Sequence, residues 1–183
     1  FKKNRTLFAL DLAKDAMKRT GRVCLMEGYT DVMRAHQRGV QYAVAAMGTA
    51  LTDEQISELQ RFASEVLLMM DSDAAGRQAA VKHARNLIRR EMPVRLISLP
   101  AGQDPDDFFR QAEYPLEDFE ALVQQSLHAI EFMLRDLADA HLKTADPQRR
   151  AALRQEAIAI TRLPKQPSAQ EEALDRLAQL LGV

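Results

Sequence analysis

The chain has a single cysteine among its 183 residues, so no disulfide can form within it. That residue, Cys24, lies in the apolar run "RVCLM" and reads as a core side chain in a protein of a reducing compartment. The four histidines, His36, His83, His128 and His141, stand apart from one another without the close spacing of a zinc site. No apolar stretch approaches the roughly 20 residues of a membrane span. The opening "FKKNRTLF" has neither the apolar region nor the cleavage pattern of a signal peptide. No segment repeats and none is of low complexity. Net charge is nearly absent as well, at -1, and selects no class of partner. The chain opens on Phe1 rather than Met, and we expect a piece of a longer protein.

What is present is an ordinary globular composition, 46% hydrophobic and 28% charged, enough for a buried core. The charge is uneven. Residues 1–100 carry 16 Lys/Arg against 11 Asp/Glu, and residues 101–183 carry 9 against 15. The first 22 residues hold seven basic and two acidic side chains. Such an entry segment is either a polyanion surface or a solvated helix face.

Four short, continuous apolar runs read as strands covered on both faces: 22–26, 42–46, 65–70 and 94–99. Helical patterns separate them. Residues 6–19 place apolar side chains at 7, 10, 13 and 17, residues 31–38 form a short helix before Gly39, "TDEQ" from Thr52 is a capping box, and 74–90 is helical again. Strand–helix alternation predicts an α/β layer with a mainly parallel sheet of about four strands. Beyond residue 104 no strand pattern is evident. Residues 116–142 carry one apolar face, Asp146-Pro147 starts another helix, and "SAQE" at 168–171 reads as a second capping box. We therefore expect a lead-in helix over 1–20, an α/β domain over 21–107 and an all-helical subdomain over 108–183.

The strand ends are unusual. "MEGYTD" follows the first strand, "MDSDAAG" the third and "LPAGQDPDD" the fourth. Ligands of a parallel sheet bind at the edge formed by these ends. Neighbouring strands are about 4.8 Å apart, so Glu27, Asp31, Asp71, Asp73, Asp104 and Asp106 could converge there. No basic residue is interleaved in the motifs. Crowded carboxylates without a counter-charge call for a hard cation such as Mg²⁺. Each acid also has a structural alternative. Asp73 and Asp104 stand where helices start and suit N-caps, and Asp31, Asp106 and Asp107 suit first turns. Glu27 and Asp71 lie at strand ends, where capping does not account for them.

The motifs "MEGYTDV", "AVAAMGTALT", "DSDAAGRQAA" and "LPAGQDPDDF", in this order, resemble the Toprim domain of bacterial replicative DNA primases. The opening "FKKNRTLFAL" resembles the segment leading into that domain. The resemblance implies nucleotidyl transfer: short RNA primers made from ribonucleoside triphosphates on a single-stranded DNA template, with Mg²⁺ (or Mn²⁺ in its place). It implies Glu27, Asp71 and Asp73 as catalytic, metal-associated acids, with Asp31, Asp104 and Asp106 completing the cluster. It also implies Lys3 and Arg5 as nucleic-acid or NTP contacts. The implied partners are the template, the nucleotides, the RNA–DNA primer duplex and, through a region outside this chain, the replicative helicase. The implied location is the cytoplasm, at replication forks. Ser72 stands where the family usually has Gly, and a positive φ there would cost about 1 kcal/mol. A Toprim nuclease or topoisomerase is the neighbouring alternative, although none of Tyr29, Tyr42 and Tyr114 lies in a nucleophile motif. A non-catalytic nucleic-acid-binding module is the alternative from another class.

Overall fold

The computed structural model describes residues 5–46 and 51–182. These fall into two compact units, Phe1–Ser126 and Leu127–Val183.

The first unit is built on five strands: β1 (Leu7–Phe8), β2 (Arg22–Met26), β3 (Ala43–Ala46), β4 (Glu65–Met69) and β5 (Val94–Ile97). Their order across the sheet is β1-β3-β2-β4-β5. β2 pairs in parallel with both β3 and β4, β4 with β5, and β1 lies antiparallel on the outer edge of β3. The central strands read as continuous apolar runs because both faces are covered. Val23, Cys24, Leu25, Val66, Leu67 and Leu68 are at most 1% exposed. Cys24 is a buried core residue, and burial raises its thiol pKa far above the usual range.

The connecting helices are α1 (Leu10–Thr20), α2 (Tyr29–Gln37), α3 (Asp53–Gln60) and α4 (Ala74–Arg89). Thr52 caps α3 as the sequence predicts, its hydroxyl accepting from Gln55 N while Gln55 Oε1 accepts from Thr52 N. The lead-in helix is shorter than expected. Leu7 and Phe8 pair with Ala46 and Ala45, Ala9 turns the chain with φ 61°, and only then does α1 begin. The apolar spacing at 7, 10, 13 and 17 hid this break, since Leu7 is buried as a strand residue and Ala13 and Met17 as helical ones.

Two further helices, α5 (Pro105–Gln111) and α6 (Pro115–Gln125), belong to this unit rather than to the helical one. Phe109 and Phe119 are fully buried with ring centroids 5.7 Å apart, and Phe119 packs edge-on against Tyr42. This aromatic contact ties α5 and α6 to the sheet, so the helical unit begins at Leu127 instead of residue 108.

The second unit contains a two-residue strand, β6 (Leu127–His128), and helices α7 (Ala129–Lys143), α8 (Pro147–Thr161) and α9 (Pro167–Leu181). The apolar face expected over 116–142 is therefore divided between two helices. Asp146 caps α8 by accepting from Gln148 N at 2.9 Å. "SAQE" is not a capping box: Pro167 takes the first helical position, Gln166 is the N-cap, and Ser168 already lies inside α9. Glu131 of α7 accepts from Arg176 of α9 through both oxygens at 2.6 Å, and Arg135 is its second cationic partner. These arginines hold the Glu131 carboxyl below its ordinary pKa.

Candidate functional site

From β2 the chain crosses to β3 on one side, and from β3 it crosses back over β2 to β4 on the other. The carboxyl ends of β2 and β4 therefore flank the point where the crossovers diverge. Glu27 follows β2, Asp71 follows β4, and Asp104 follows β5. The three acid-bearing strands are adjacent, so the carboxylates face one stretch of edge.

Local hydrogen bonds set each side chain. Asp31 lies in the first turn of α2 and accepts from Gly28 N at 2.9 Å, which closes the β2–α2 loop back on itself. Asp73 caps α4, accepting from Gly76 N at 2.7 Å. Gly76 is buried so closely against Asp71 that an added Cβ would lie 2.4 Å from the Asp71 carbonyl oxygen. Asp104 caps α5 by accepting from Asp107 N at 2.7 Å, with Pro105 at the first helical position. Ser72 N donates to Gln103 O at 3.1 Å, joining the β4 and β5 loops. Ser72 is not among the positive-φ residues, so replacing the family's usual Gly carries no backbone strain here.

The electrostatics show the convergence. Partial burial first, then the charges of Asp71, Asp73 and Asp31, raise the Glu27 carboxyl above its ordinary pKa, while the Asp71 backbone amide opposes the shift. Asp31 is raised by burial and, more weakly, by Asp71 and Asp104, against the amides of Gly28 and Asp106. Asp71 is raised by burial, Asp104 and Asp73. Five acids thus share one field. Among the described residues no three of them are drawn into a metal-ligating group. Asp31, Asp73 and Asp104 instead hold backbone amides, so capping and clustering occur together at the same residues. The donor set nevertheless fits a hard divalent cation: every donor is oxygen, and the repulsion that raises these pKa values is what a cation would relieve.

Asp106 stands apart. Arg34 Nε donates to its Oδ1 at 2.9 Å, so α2 brings a basic residue to these motifs although none is interleaved within them. The available signal was Arg34 at three positions after Asp31, on the same helical face. Arg5 is exposed and shares an open cavity of about 430 Å³ with Asp53, Glu54, Ser57 and Glu58. Lys3 lies outside the described residues, as does Gly48 of the "MGTALT" motif. A larger cavity, about 900 Å³, lies wholly within the second unit between α7 and α9 and includes none of the edge acids.

Residues 24–109 match the Toprim-like family. Strand order, acid positions and this match together define a Toprim-like domain. The DNA primase of Staphylococcus epidermidis is 38% identical over 125 residues, spanning 68% of this chain and 21% of that protein. That of Listeria innocua is 43% identical over 111 residues, spanning 60% of this chain and 18% of its own length. The solved structure of a DnaG primase catalytic domain bound to single-stranded DNA covers 100% of this chain and 58% of its own, at 29% identity and TM-score 0.84. The chain corresponds to the Toprim and helical parts of the bacterial DNA primase catalytic core. It spans about a fifth of the length of the curated relatives it matches. Toprim primases as a group are metal-dependent. No described helix is long and apolar enough to cross a membrane.

Proposed function

We propose that this chain supplies the metal-binding half of a primase active site, which joins ribonucleotides on a single-stranded DNA template in the cytoplasm, at replication forks. The observation that carries this reading is the shared field of Glu27, Asp31 and Asp71, whose carboxyl pKa values are all raised at one edge of the sheet. Glu27, Asp71 and Asp73 would hold Mg²⁺, or Mn²⁺ in its place, with Asp31 and Asp104 adding negative potential behind them. When bound, the cation supplies charge neutralisation for the nucleotide phosphates and the departing pyrophosphate.

The residues of the chain then have separate tasks. The caps at Asp73 and Asp104 fix the loops so that their carboxylates stay at the edge. Gly76 lets α4 start against the Asp71 backbone, keeping Asp71 at the end of β4. By holding the cation, the carboxylates would place the triphosphate where a ribose 3′-hydroxyl meets the α-phosphate in line with the pyrophosphate leaving group. Arg34 takes up the Asp106 charge and joins α2 to α5. The single-stranded template is supported by the DNA-bound DnaG neighbour. Lys3 and Arg5 are proposed as phosphate contacts, and the helicase as a partner reached through other parts of the parent protein.

Primer synthesis by the full-length parent tests this. With NTPs, Mg²⁺ and single-stranded DNA it makes short RNA, and Glu27→Gln or Asp71→Asn lowers the rate by about a hundredfold or more. Wild-type rates in both variants would overturn the reading.

A further inference from the structure

Charge in the second unit is segregated by helix. Residues 147–165 hold Arg149, Arg150, Arg154, Arg162 and Lys165 against the single acid Glu156. The remaining positions of 127–183 hold three basic and seven acidic side chains. One face of α8 is buried through Leu153, Ala157, Ile160 and Thr161. Arg150, Arg154, Ile158 and Arg162 lie on an exposed face at four-residue intervals. At ~1.5 Å per residue these positions are roughly 6 Å apart along the axis. They form a ridge, with Ile158 40% exposed in its middle.

Several arginines elsewhere in the chain pair with carboxylates, as Arg22 does with Glu65, Arg34 with Asp106 and Arg176 with Glu131. Among the described residues the side chains of Arg154 and Arg162 have neither an ion pair nor a hydrogen bond; the Arg162 backbone amide donates to Ile160 O. Arg150 donates from Nε to Thr144 O at 2.7 Å, which steadies the start of its guanidinium without neutralising it. A row of uncompensated arginines on an otherwise acidic unit is complementary to a linear polyanion. Guanidinium groups present planar forks that match phosphate oxygens.

We propose that this face of α8 is a nucleic-acid contact of the second unit, in which Arg150, Arg154 and Arg162 grip the phosphodiester backbone without reading sequence. The proposal rests on the polymerase reading of the chain, and it deepens that reading by adding a site outside the Toprim motifs. Ile158 would lie against sugar or base between two phosphate contacts.

The test uses the full-length parent protein carrying Arg150→Gln, Arg154→Gln and Arg162→Gln together, beside the same three positions changed to Lys. Affinity for single-stranded DNA is measured across salt concentrations, and melting confirms that both variants fold. The Gln variant is expected to lower the slope of log K against log salt by about 2, at ~0.7 per contact, while the Lys variant keeps it. An unchanged slope in the Gln variant overturns the proposal, including when that variant loses an acidic protein partner instead. Loss of primer synthesis in the wild-type parent would bear on the polymerase reading alone, because the salt slope reports the ridge separately.

Discussion

Arg34 Nε lies 2.9 Å from Asp106 Oδ1, linking α2 to α5 across 72 positions of sequence. The pair is partly exposed, with side chains 36% and 26% accessible, so its contribution to stability is at most about 1 kcal/mol. Its consequence is positional. Asp106 is balanced by Arg34, whereas Asp104, two residues earlier, acts on the charges of Asp31 and Asp71.

Asn variants separate these roles. Asn caps a helix about as well as Asp, so Asp104→Asn should change stability by less than about 0.5 kcal/mol. It should nevertheless sharply reduce primer synthesis by the full-length protein. Asp106→Asn should lower melting slightly and leave activity within a few-fold of wild type. Strong loss of activity in Asp106→Asn with unchanged melting would return Asp106 to the metal cluster.

Gly76→Ala tests the packing beneath the acids. Ala favours a helix interior over Gly by about 1 kcal/mol. Here the new Cβ would lie 2.4 Å from the Asp71 carbonyl oxygen, which is backbone and cannot swing aside. We expect a net destabilisation of about 1–3 kcal/mol in urea unfolding, together with weaker Mn²⁺ binding as Asp71 is displaced. Unchanged stability would mean that the β4–α4 turn is looser than the structure shows.

The strands and the acids were readable in the sequence for a common reason: both follow from local patterns. β2 begins and ends where its apolar run does, and Asp104-Pro105 and Asp146-Pro147 start helices as their chemistry dictates. What escaped depended on contacts distant in sequence or on ambiguous periodicity. Leu7 and Phe8 form a strand only because β3 offers an edge. Leu127–His128 interrupts an apolar helical face with no Gly or Pro to mark the break. "SAQE" was outranked by Pro167, which fixed the helix start two residues earlier. Arg34 reaches Asp106 only after α5 folds onto α2. Phe109 and Phe119 drew two helices away from the subdomain their sequence neighbours suggested.

His83 gives the fold a pH signature. Burial, with a smaller effect from Lys82, lowers its pKa to about 4, and its Nδ1 accepts from Leu51 N at 3.3 Å. The unfolded imidazole protonates below about 6.5 and the folded one only below about 4. Between those values the unfolded state holds more protons, so stability falls as pH falls, by at most about 1.4 kcal/mol per pH unit. The raised Glu27, Asp31 and Asp71 act in the opposite direction, losing stability as pH rises through their folded pKa values. The difference between wild type and His83→Asn isolates the histidine, since an Asn oxygen can accept from the Leu51 amide. Urea midpoints from pH 7 to pH 4 should fall less in the variant. Parallel curves would show that His83 titrates normally.

Anomalous diffraction from crystals soaked in Mn²⁺ addresses the acid edge most directly, because it locates the cation without relying on activity. The account predicts a peak beside Glu27, Asp71 and Asp73 that disappears in crystals of Asp71→Asn. Peaks confined to other parts of the chain, with none at the carboxyl ends of β2 and β4, would contradict it.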